Sequence, residues 1–298
     1  MLRPLRYVLT LAEVKNFTRA AEMLHVSQPA LSQQIRQIER ELGSAIFDRG
    51  GRVVSLTEFG RVYIDHAQKA LEHLEAGRRA VHDVRDLAGG LLRLAYTPTF
   101  AEYLIAPALQ HFQNAYPSIA IDASERPHED IEIGLERGEL DLGIGFTDAR
   151  SEEIDAQPLF PEHIALLVAT GHPLAKRRQA VTLAQLQDIP MALLSKDFVV
   201  RKFADAYFRA NQVSPSVMLQ ANALGTVLKS VKHGRLATIL PSAVLRAHRG
   251  LVSLPLDPPL PERTVALLTR QRSTGTLAAK AFSDLLFGMI AKDGLSEG

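Results

Sequence analysis

Apolar residues recur at steps of three and four through the first 42 positions, and breaks in the pattern divide them into three short helices. Leu5, Val8, Leu9 and Ala12 make the first stripe. Phe17, Ala20, Ala21 and Leu24 make the second, entered through Thr18 as its N-cap. After a turn at His25 and Val26, Ser27 caps a third helix. Pro29 sits in its first turn, where a missing N–H costs nothing, and Leu31, Ile35, Ile38 and Leu42 form its inner face. Gly43 ends it. Phe47 to Leu56, centred on Arg49-Gly50-Gly51-Arg52, predicts a β-hairpin with two guanidiniums at its tip. From Thr57 to about Leu87 the residues Phe59, Tyr63, Ala67, Leu71, Leu74, Val81 and Val84 recur at helical spacing. Arg61, Glu72, Arg78 and Arg85 flank this narrow seam, which suits a long helix pairing with a second copy of itself. Ala88-Gly89-Gly90 predicts a hinge.

Beyond the hinge the period alternates between strand and helix. Strands are expected at Leu91 to Tyr96, Ile119 to Ala123, Leu142 to Phe146, Ile164 to Ala169, Met191 to Leu194, Val217 to Gln220, Leu236 to Leu240 and Val265 to Thr269. The intervening helices end near Tyr116, Arg137, Ala210 and His233, and a last one runs over about Leu277 to Ile290. Such alternation predicts parallel sheets with helices on their faces, so the chain reads as α/β overall with a mainly helical N-terminal part. Proline-bearing junctions near 157–163 and 255–263 suggest two lobes that the chain crosses twice. The expected division is 1–58, 59–90 and 91–298. Within the last part, one lobe spans about 91–160 plus 265–298 and the other about 161–264.

Composition narrows the chemistry. The 298 residues include no cysteine, which excludes disulfide frameworks, thiolate nucleophiles and cysteine-held metals. The longest apolar runs, such as Ile164 to Ala169, fall far short of the roughly 20 residues that span a bilayer, and the expectation is a cytoplasmic protein. Net charge is +1, and residues 1–90 carry 13 Lys and Arg against 11 Asp and Glu, so a polyanion partner must be argued from pattern rather than bulk charge. Enzyme signatures are absent: there is no Gly-x-Ser-x-Gly, P-loop or His-Glu-x-x-His, and Gly143-Ile144-Gly145 lacks the third glycine of a dinucleotide fingerprint. No catalytic residue, metal ligand or resident cofactor is expected. Asn16-Phe17-Thr18 matches a glycosylation acceptor but falls within a helical motif of an intracellular reading.

Two consecutive helices with a tight turn place the second in a DNA major groove, so its polar face should hold phosphates and read bases. Gln28, Ser32, Gln33 and Arg36 lie on that face, with Ser27 and Pro29 at its start. Amides bridge adenine, hydroxyls take phosphate or base, and Arg grips guanine or phosphate. Thr18 and Arg19, and Arg49 and Arg52 on the hairpin, suit backbone contacts.

The run Phe17-Thr18-Arg19-Ala20-Ala21-Glu22-Met23-Leu24-His25-Val26-Ser27-Gln28-Pro29-Ala30-Leu31-Ser32-Gln33-Gln34-Ile35, followed by Glu39-Arg40-Glu41-Leu42-Gly43 and Phe47-Asp48-Arg49, closely resembles the LysR-type transcriptional regulator signature. The resemblance covers the whole chain. It implies a winged helix-turn-helix, a linker helix and a two-lobed effector domain like a type 2 periplasmic binding protein. Within the family the chain is most similar to regulators of cyanate operons. That likeness runs through Gln33 to Gln37, Arg79 to Val84, Thr97-Pro98-Thr99-Phe100, Glu139-Leu140-Asp141 with Gly143-Ile144, and Pro259 to Thr264. It implies a homo-oligomer, dimeric through the linker and tetrameric overall. The oligomer would bind promoter DNA, contact RNA polymerase, activate a catabolic or detoxification operon and repress its own gene.

In such a fold a ligand lies between the lobes, at strand C-termini and helix N-termini. Thr97-Pro98-Thr99-Phe100 follows the first strand, and either Thr97 or Thr99 is expected to cap a helix, Thr99 with Glu102 as a capping box. Gly145 and Phe146 suit a cleft floor, and Ser195, Asn222 and Thr226 the second lobe. Hydroxyls and helix N-termini favour a small anion, the family resemblance implies a small anionic or metabolite inducer, and the likeness to cyanate-operon regulators suggests cyanate. Two other readings stay open at the level of sequence: a solute sensor whose helix-turn-helix serves protein contacts, and a bifunctional repressor-enzyme.

Overall fold

The computed structural model describes residues 2–48, 54–83, 90–176, 179–271 and 275–293. They divide into two compact units, Met1–Val81 and His82–Gly298. The first unit contains α1 (Leu2–Val14), α2 (Phe17–Met23), α3 (Gln28–Leu42), the short strands β1 (Phe47–Asp48) and β2 (Ser55–Leu56), and α4 (Glu58–Asp83). Its core is Val8, Leu11, Ala20, Ala21, Leu31, Ile35, Ile38, Ile46 and Phe47. The α1 stripe therefore centres on Val8 and Leu11. Leu42, expected inside, is 37% exposed at the last position of α3.

Three caps set the geometry of this unit. Ser27 Oγ accepts from Ala30 N at 3.4 Å and Gly43 closes α3 in the left-handed region at φ 70°, both as expected. The N-cap of α2 is Asn16 rather than Thr18: Asn16 Oδ1 accepts from Arg19 N at 3.1 Å, and Thr18 lies one position inside the helix. Asn16 is extended at φ −148°, the backbone a cap requires, while Thr18 is already helical. Thr57 Oγ1 accepts from Gly60 N at the start of α4 and donates to Ala45 O at 2.6 Å. β1 and β2 pair antiparallel, Phe47 opposite Leu56. The hairpin tip, with Arg49 and Arg52, lies outside the described residues, as do Val84, Arg85 and the glycine hinge up to Gly89.

The second unit runs β3 (Leu91–Tyr96), a 3-10 turn (Pro98–Glu102), α5 (Ile105–Ala115), β4 (Ala120–Glu125), α6 (His128–Glu136), β5 (Leu142–Phe146), β6 (Ile154–Glu162) and β7 (Ile164–Ala169). It continues through β8 (Val181–Thr182), α7 (Leu183–Gln187), β9 (Met191–Leu194), α8 (Val199–Ala210), β10 (Val217–Ala221), α9 (Leu224–Lys232) and β11 (Thr238–Pro241). A second 3-10 turn (Ser242–Arg246), β12 (Leu251–Leu254), β13 (Leu256–Asp257), β14 (Arg263–Arg270) and α10 (Leu277–Asp293) complete it.

A five-stranded sheet in the order β4-β3-β5-β14-β6 forms one lobe. β3 is parallel to β4 and β5, while β14 is antiparallel to β5 and β6. The other lobe holds the antiparallel sheet β11-β7-β12, the parallel pair β10-β9 and the small parallel ladder β13-β8. The expectation of purely parallel sheets is thus corrected to mixed ones. Apolar runs such as those of β7 and β14 show burial on both faces but not direction, which the returning connections decide. β6 escaped the sequence reading because Pro158 and Pro161 lie in it. Among the described residues it pairs with β14 alone, and such an edge strand tolerates proline where a central strand does not. The passage from β6 into β7 is direct, through His163, so the first junction is an extended strand rather than a loop.

Candidate nucleic-acid interface and effector cleft

The buried stripe of α3 turns the opposite face of the helix outward. Gln28, Pro29, Gln33 and Arg36 are exposed there, with Ser32 half-buried among them. Arg36 Nε donates to Ser32 O at 3.3 Å and Arg40 Nε to Arg36 O at 3.3 Å, which lays both guanidiniums back along the helix. Together with Gln33, Glu39 and the Gly43-Ser44-Ala45 turn they line a shallow, solvent-open trough. Sequence reasoning missed Arg40 in this trough and also the role of Glu39. The Glu39 carboxylate accepts from the N–H groups of Ile46 (3.0 Å) and Phe47 (3.1 Å), fixing the hairpin to α3. Thr18 and Arg19 are exposed on α2. An uncovered polar helix face with guanidiniums at its far end is what major-groove docking requires.

In the second unit a cavity of about 250 Å³ is lined by Thr97, Pro98, Glu125, Arg126, Pro127, Asp197, Phe198, Val199 and Asn222. The start of every helical element around it lacks a side-chain cap. Thr97 precedes the 3-10 turn, Pro127 precedes α6 and Phe198 precedes α8; Asn222 sits just before Ala223, the cap position of α9. Thr97 is only 4% exposed, and among the described residues its Oγ1 has no hydrogen-bonding partner. A buried hydroxyl without a partner beside uncapped N–H groups is an unfilled set of hydrogen bonds. Charge in the wall is mixed. Arg126 Nε donates to Ser124 Oγ and its Nη1 lies 3.6 Å from Glu139, while burial and then the nearby Glu102 carboxylate raise Glu125 above the ordinary carboxylate range.

Of the expected effector residues, the cavity brings together Thr97, Pro98 and Asn222. The others stand elsewhere. Thr97 occupies a cap position but makes no cap bond, and Thr99 is buried inside the 3-10 turn rather than capping an α-helix with Glu102; α5 starts later, at Ile105. Phe100 is fully buried in the core against Tyr103 and Phe146. Gly145 is packed under His128: a Cβ there would lie 2.4 Å from His128 Nδ1. Ser195 is held in a turn, its N–H donating to Ala221 O and its carbonyl accepting from Phe198 N. Thr226 is exposed on the first turn of α9 and does not line the cavity. Glu125, Arg126, Asp197 and Phe198 were missed, since an isolated charged or apolar residue before a helix gives no motif.

At the crossovers, where β6 ends and β14 begins, lies a buried charged group. Glu162, at the end of β6, accepts from Tyr103 Oη and from Arg263 Nε at 2.5 Å. The Arg263 guanidinium lies 3.9 Å over the Phe146 ring and 5.5 Å from that of Phe203 on α8. Burial and the Glu162 carboxylate push the Tyr103 hydroxyl well above its ordinary value, so it stays protonated and donates. Burial lowers His128 despite the neighbouring Glu132. His128 Nε2 is 3.2 Å from Glu132 Oε1 without hydrogen-bond geometry, while Glu132 Oε2 accepts from the N–H groups of Arg150 and Ser151. Across the cleft, Lys202 of α8 meets Glu129 of α6 at 3.2 Å and His248 meets Glu102 at 2.7 Å.

A helix-turn-helix with an open recognition face, joined in sequence to a two-lobed unit with an internal cavity, defines a DNA-binding protein with a sensory domain. The comparisons agree. Residues 2–61 match the bacterial regulatory helix-turn-helix domain of the lysR family, and residues 85–289 match the LysR substrate binding domain. The chain belongs to the LysR family of DNA-binding transcriptional regulators, which are not enzymes. It is 30% identical over 275 residues to the DNA-binding transcriptional dual regulator OxyR of Escherichia coli K12, covering 91% of this chain and 90% of that one. A probable RuBisCO transcriptional regulator of Trichormus variabilis is 26% identical, covering 97% and 88%. Among solved structures, a full-length OxyR cysteine-to-aspartate variant from Pseudomonas aeruginosa superposes with a TM-score of 0.66 at 26% identity, covering 98% and 95%. These relatives supply the family and not the cyanate-regulator likeness expected from the sequence.

Proposed function

We propose that this chain is an effector-responsive regulator of transcription whose α3 enters the major groove and whose 250 Å³ cavity holds a small anionic metabolite. The functional division is 1–58 for DNA binding, 59–90 for pairing of two chains and 91–298 for sensing, with assembly to a tetramer. Gln28, Ser32, Gln33 and Arg36 read or hold the operator, with Ser27, Pro29, Thr18 and Arg19 at the helix starts and Arg49 and Arg52 on the wing. The observation that carries the sensing half is the unpartnered, buried Thr97 hydroxyl among uncapped helix starts. An anion accepts from such groups, and the cavity is below the roughly 300–1,000 Å³ of drug-sized sites. Cyanate, as inducer of a detoxification operon with repression of the regulator's own gene and contact to RNA polymerase, is the finer form of this reading. A three-atom ion leaves most of the cavity to water.

Similarity to a "Hydrogen peroxide-inducible genes activator" does not bring peroxide sensing through a thiol to this chain, which has no cysteine. The effector changes activity only as far as it binds one arrangement of the protein better than another. Nuclease footprinting of the full chain on DNA upstream of its own gene, at fixed salt with and without cyanate, tests both halves. A protected region whose length or hypersensitivity changes with cyanate supports the whole reading. Protection indifferent to cyanate removes that ligand, and no protection at any salt removes DNA binding. Arg36→Ala should weaken operator binding by about 1–3 kcal/mol and relax sequence preference; a loss uniform across sequences makes Arg36 a phosphate contact.

A further inference from the structure

Arg263 begins β14, where the chain re-enters the first lobe, and its side chain is 10% exposed. Its Nε is taken by Glu162, whose other bond is to Tyr103. Both terminal nitrogens, Nη1 and Nη2, are buried and have no hydrogen-bonding partner among the described residues. One guanidinium face lies on Phe146 of the first lobe, and Phe203 of the second lobe closes over the group. Arg246 adds a second positive charge, acting on Tyr103 along with Arg263, so Arg263, Arg246 and Glu162 together carry one net positive charge.

A protonated guanidinium with its outer N–H pair unmet, in a buried place, calls for an acceptor. Two parallel N–H groups match two oxygens on one planar centre, which is the geometry of a carboxylate. We propose that Arg263 anchors a second ligand subsite at the hinge between the lobes, specific for small carboxylates. This rests on the reading above only in that the cleft admits ligands; the subsite is distinct from the Thr97 cavity, which Arg263 does not line. Phe203 covers the guanidinium in the present arrangement, so a carboxylate enters as α8 moves away from Phe146. Binding there selects a lobe arrangement other than the one described, which couples occupancy to the crossovers.

The test is calorimetric titration of the full chain with acetate, propionate and pyruvate, with acetamide and propionamide as neutral counterparts and cyanate as a rod-like anion that cannot engage both nitrogens from one end. With the Thr97 cavity filled by Asn222→Trp, so that anions held there do not contribute, carboxylates should bind at least tenfold more tightly than the amides or cyanate. Arg263→Lys keeps the charge beside Glu162 but loses the fork, and should weaken carboxylates at least tenfold. Glu162→Gln keeps an acceptor for Arg263 and Tyr103 but removes the competing negative charge, and should strengthen them several-fold. This second variant reads the subsite even if Arg263→Lys fails to fold, because a merely structural ion pair gives no gain. Asn222→Trp, which fills the Thr97 cavity, should leave carboxylate binding within about threefold of wild type. Carboxylate binding lost in Asn222→Trp but kept in Arg263→Lys overturns the proposal while leaving the Thr97 cavity as the site. Equal binding of carboxylates and amides, or no binding of any probe, overturns it as well.

Discussion

Gly60 is the point where α4 touches the hairpin, and replacing it by alanine tests how the DNA-binding unit holds its recognition helix. A Cβ at Gly60 would lie 2.0 Å from Ile46 O and 2.9 Å from Ile46 C, both main-chain atoms that cannot rotate away. The same carbonyl oxygen accepts from Thr57 N at 3.0 Å and lies 3.2 Å from Thr57 Oγ1, whose single proton goes mainly to Ala45 O at 2.6 Å, and Ile46 N donates to Glu39 of α3. Relieving the clash therefore moves α4 away from Ile46 and strains the bonds that tie the hairpin to α3. Overpacking costs about 1–3 kcal/mol. Loss of two hydrogen bonds adds about 1 kcal/mol each. The better helix propensity of alanine returns about 1 kcal/mol, leaving a net destabilisation of about 3 kcal/mol. In native-state hydrogen exchange the amides of Leu31, Ile35 and Ile38, if they exchange through opening of this unit, should lose about 100-fold protection, since each 1.4 kcal/mol is a factor of ten. A unit of this size should melt more than about 10 °C lower. Unchanged exchange and melting in Gly60→Ala would refute the argument that main-chain contact at Ile46 positions α3.

Thr97→Val keeps the shape of the side chain and deletes the unpartnered hydroxyl, so the ligand-free protein should be as stable as wild type or up to about 1 kcal/mol more stable, as scanning calorimetry would show. The same variant should bind effector more weakly; a clear loss of stability without ligand would mean that the hydroxyl already has a structural partner. Because burial lowers His128 below its ordinary 6.5, the unfolded chain binds that proton more readily than the folded one. Its contribution to stability is complete above about pH 6.5 and is lost as the pH falls below it. Urea unfolding from pH 7.5 to 5 should show a steeper loss in wild type than in His128→Gln, and identical slopes would assign the acid sensitivity to other groups.

The helical stripes, the Ser27 cap and the Gly43 stop were legible in the sequence because each is local: a repeat of three and four, a hydroxyl before a proline turn, and a glycine in a left-handed position. The strand runs of the second unit were legible for the same reason, as continuous apolar segments between helical ones. Directions within the sheets were not, because Val265 to Leu268 are buried on both faces whether β14 runs with or against β5. β6 was hidden by its prolines, which only an edge position makes harmless. The candidate sites divide in the same way. The outward face of α3 follows from its inward face, so Gln28, Ser32, Gln33 and Arg36 could be named in advance. The cleft depends on residues far apart in sequence, with Thr97, Arg126, Asp197 and Asn222 meeting only when the helix starts converge. Sequence alone thus determined the family, the order of the main helices and of most strands, and the chemistry that a chain without cysteine cannot perform. Only the tertiary structure decided which hydroxyls and guanidinium N–H groups lack partners among the described residues. A hydrogen bond is satisfied or left open by what packs around it, and Thr97 and Arg263 carry no local mark of either outcome.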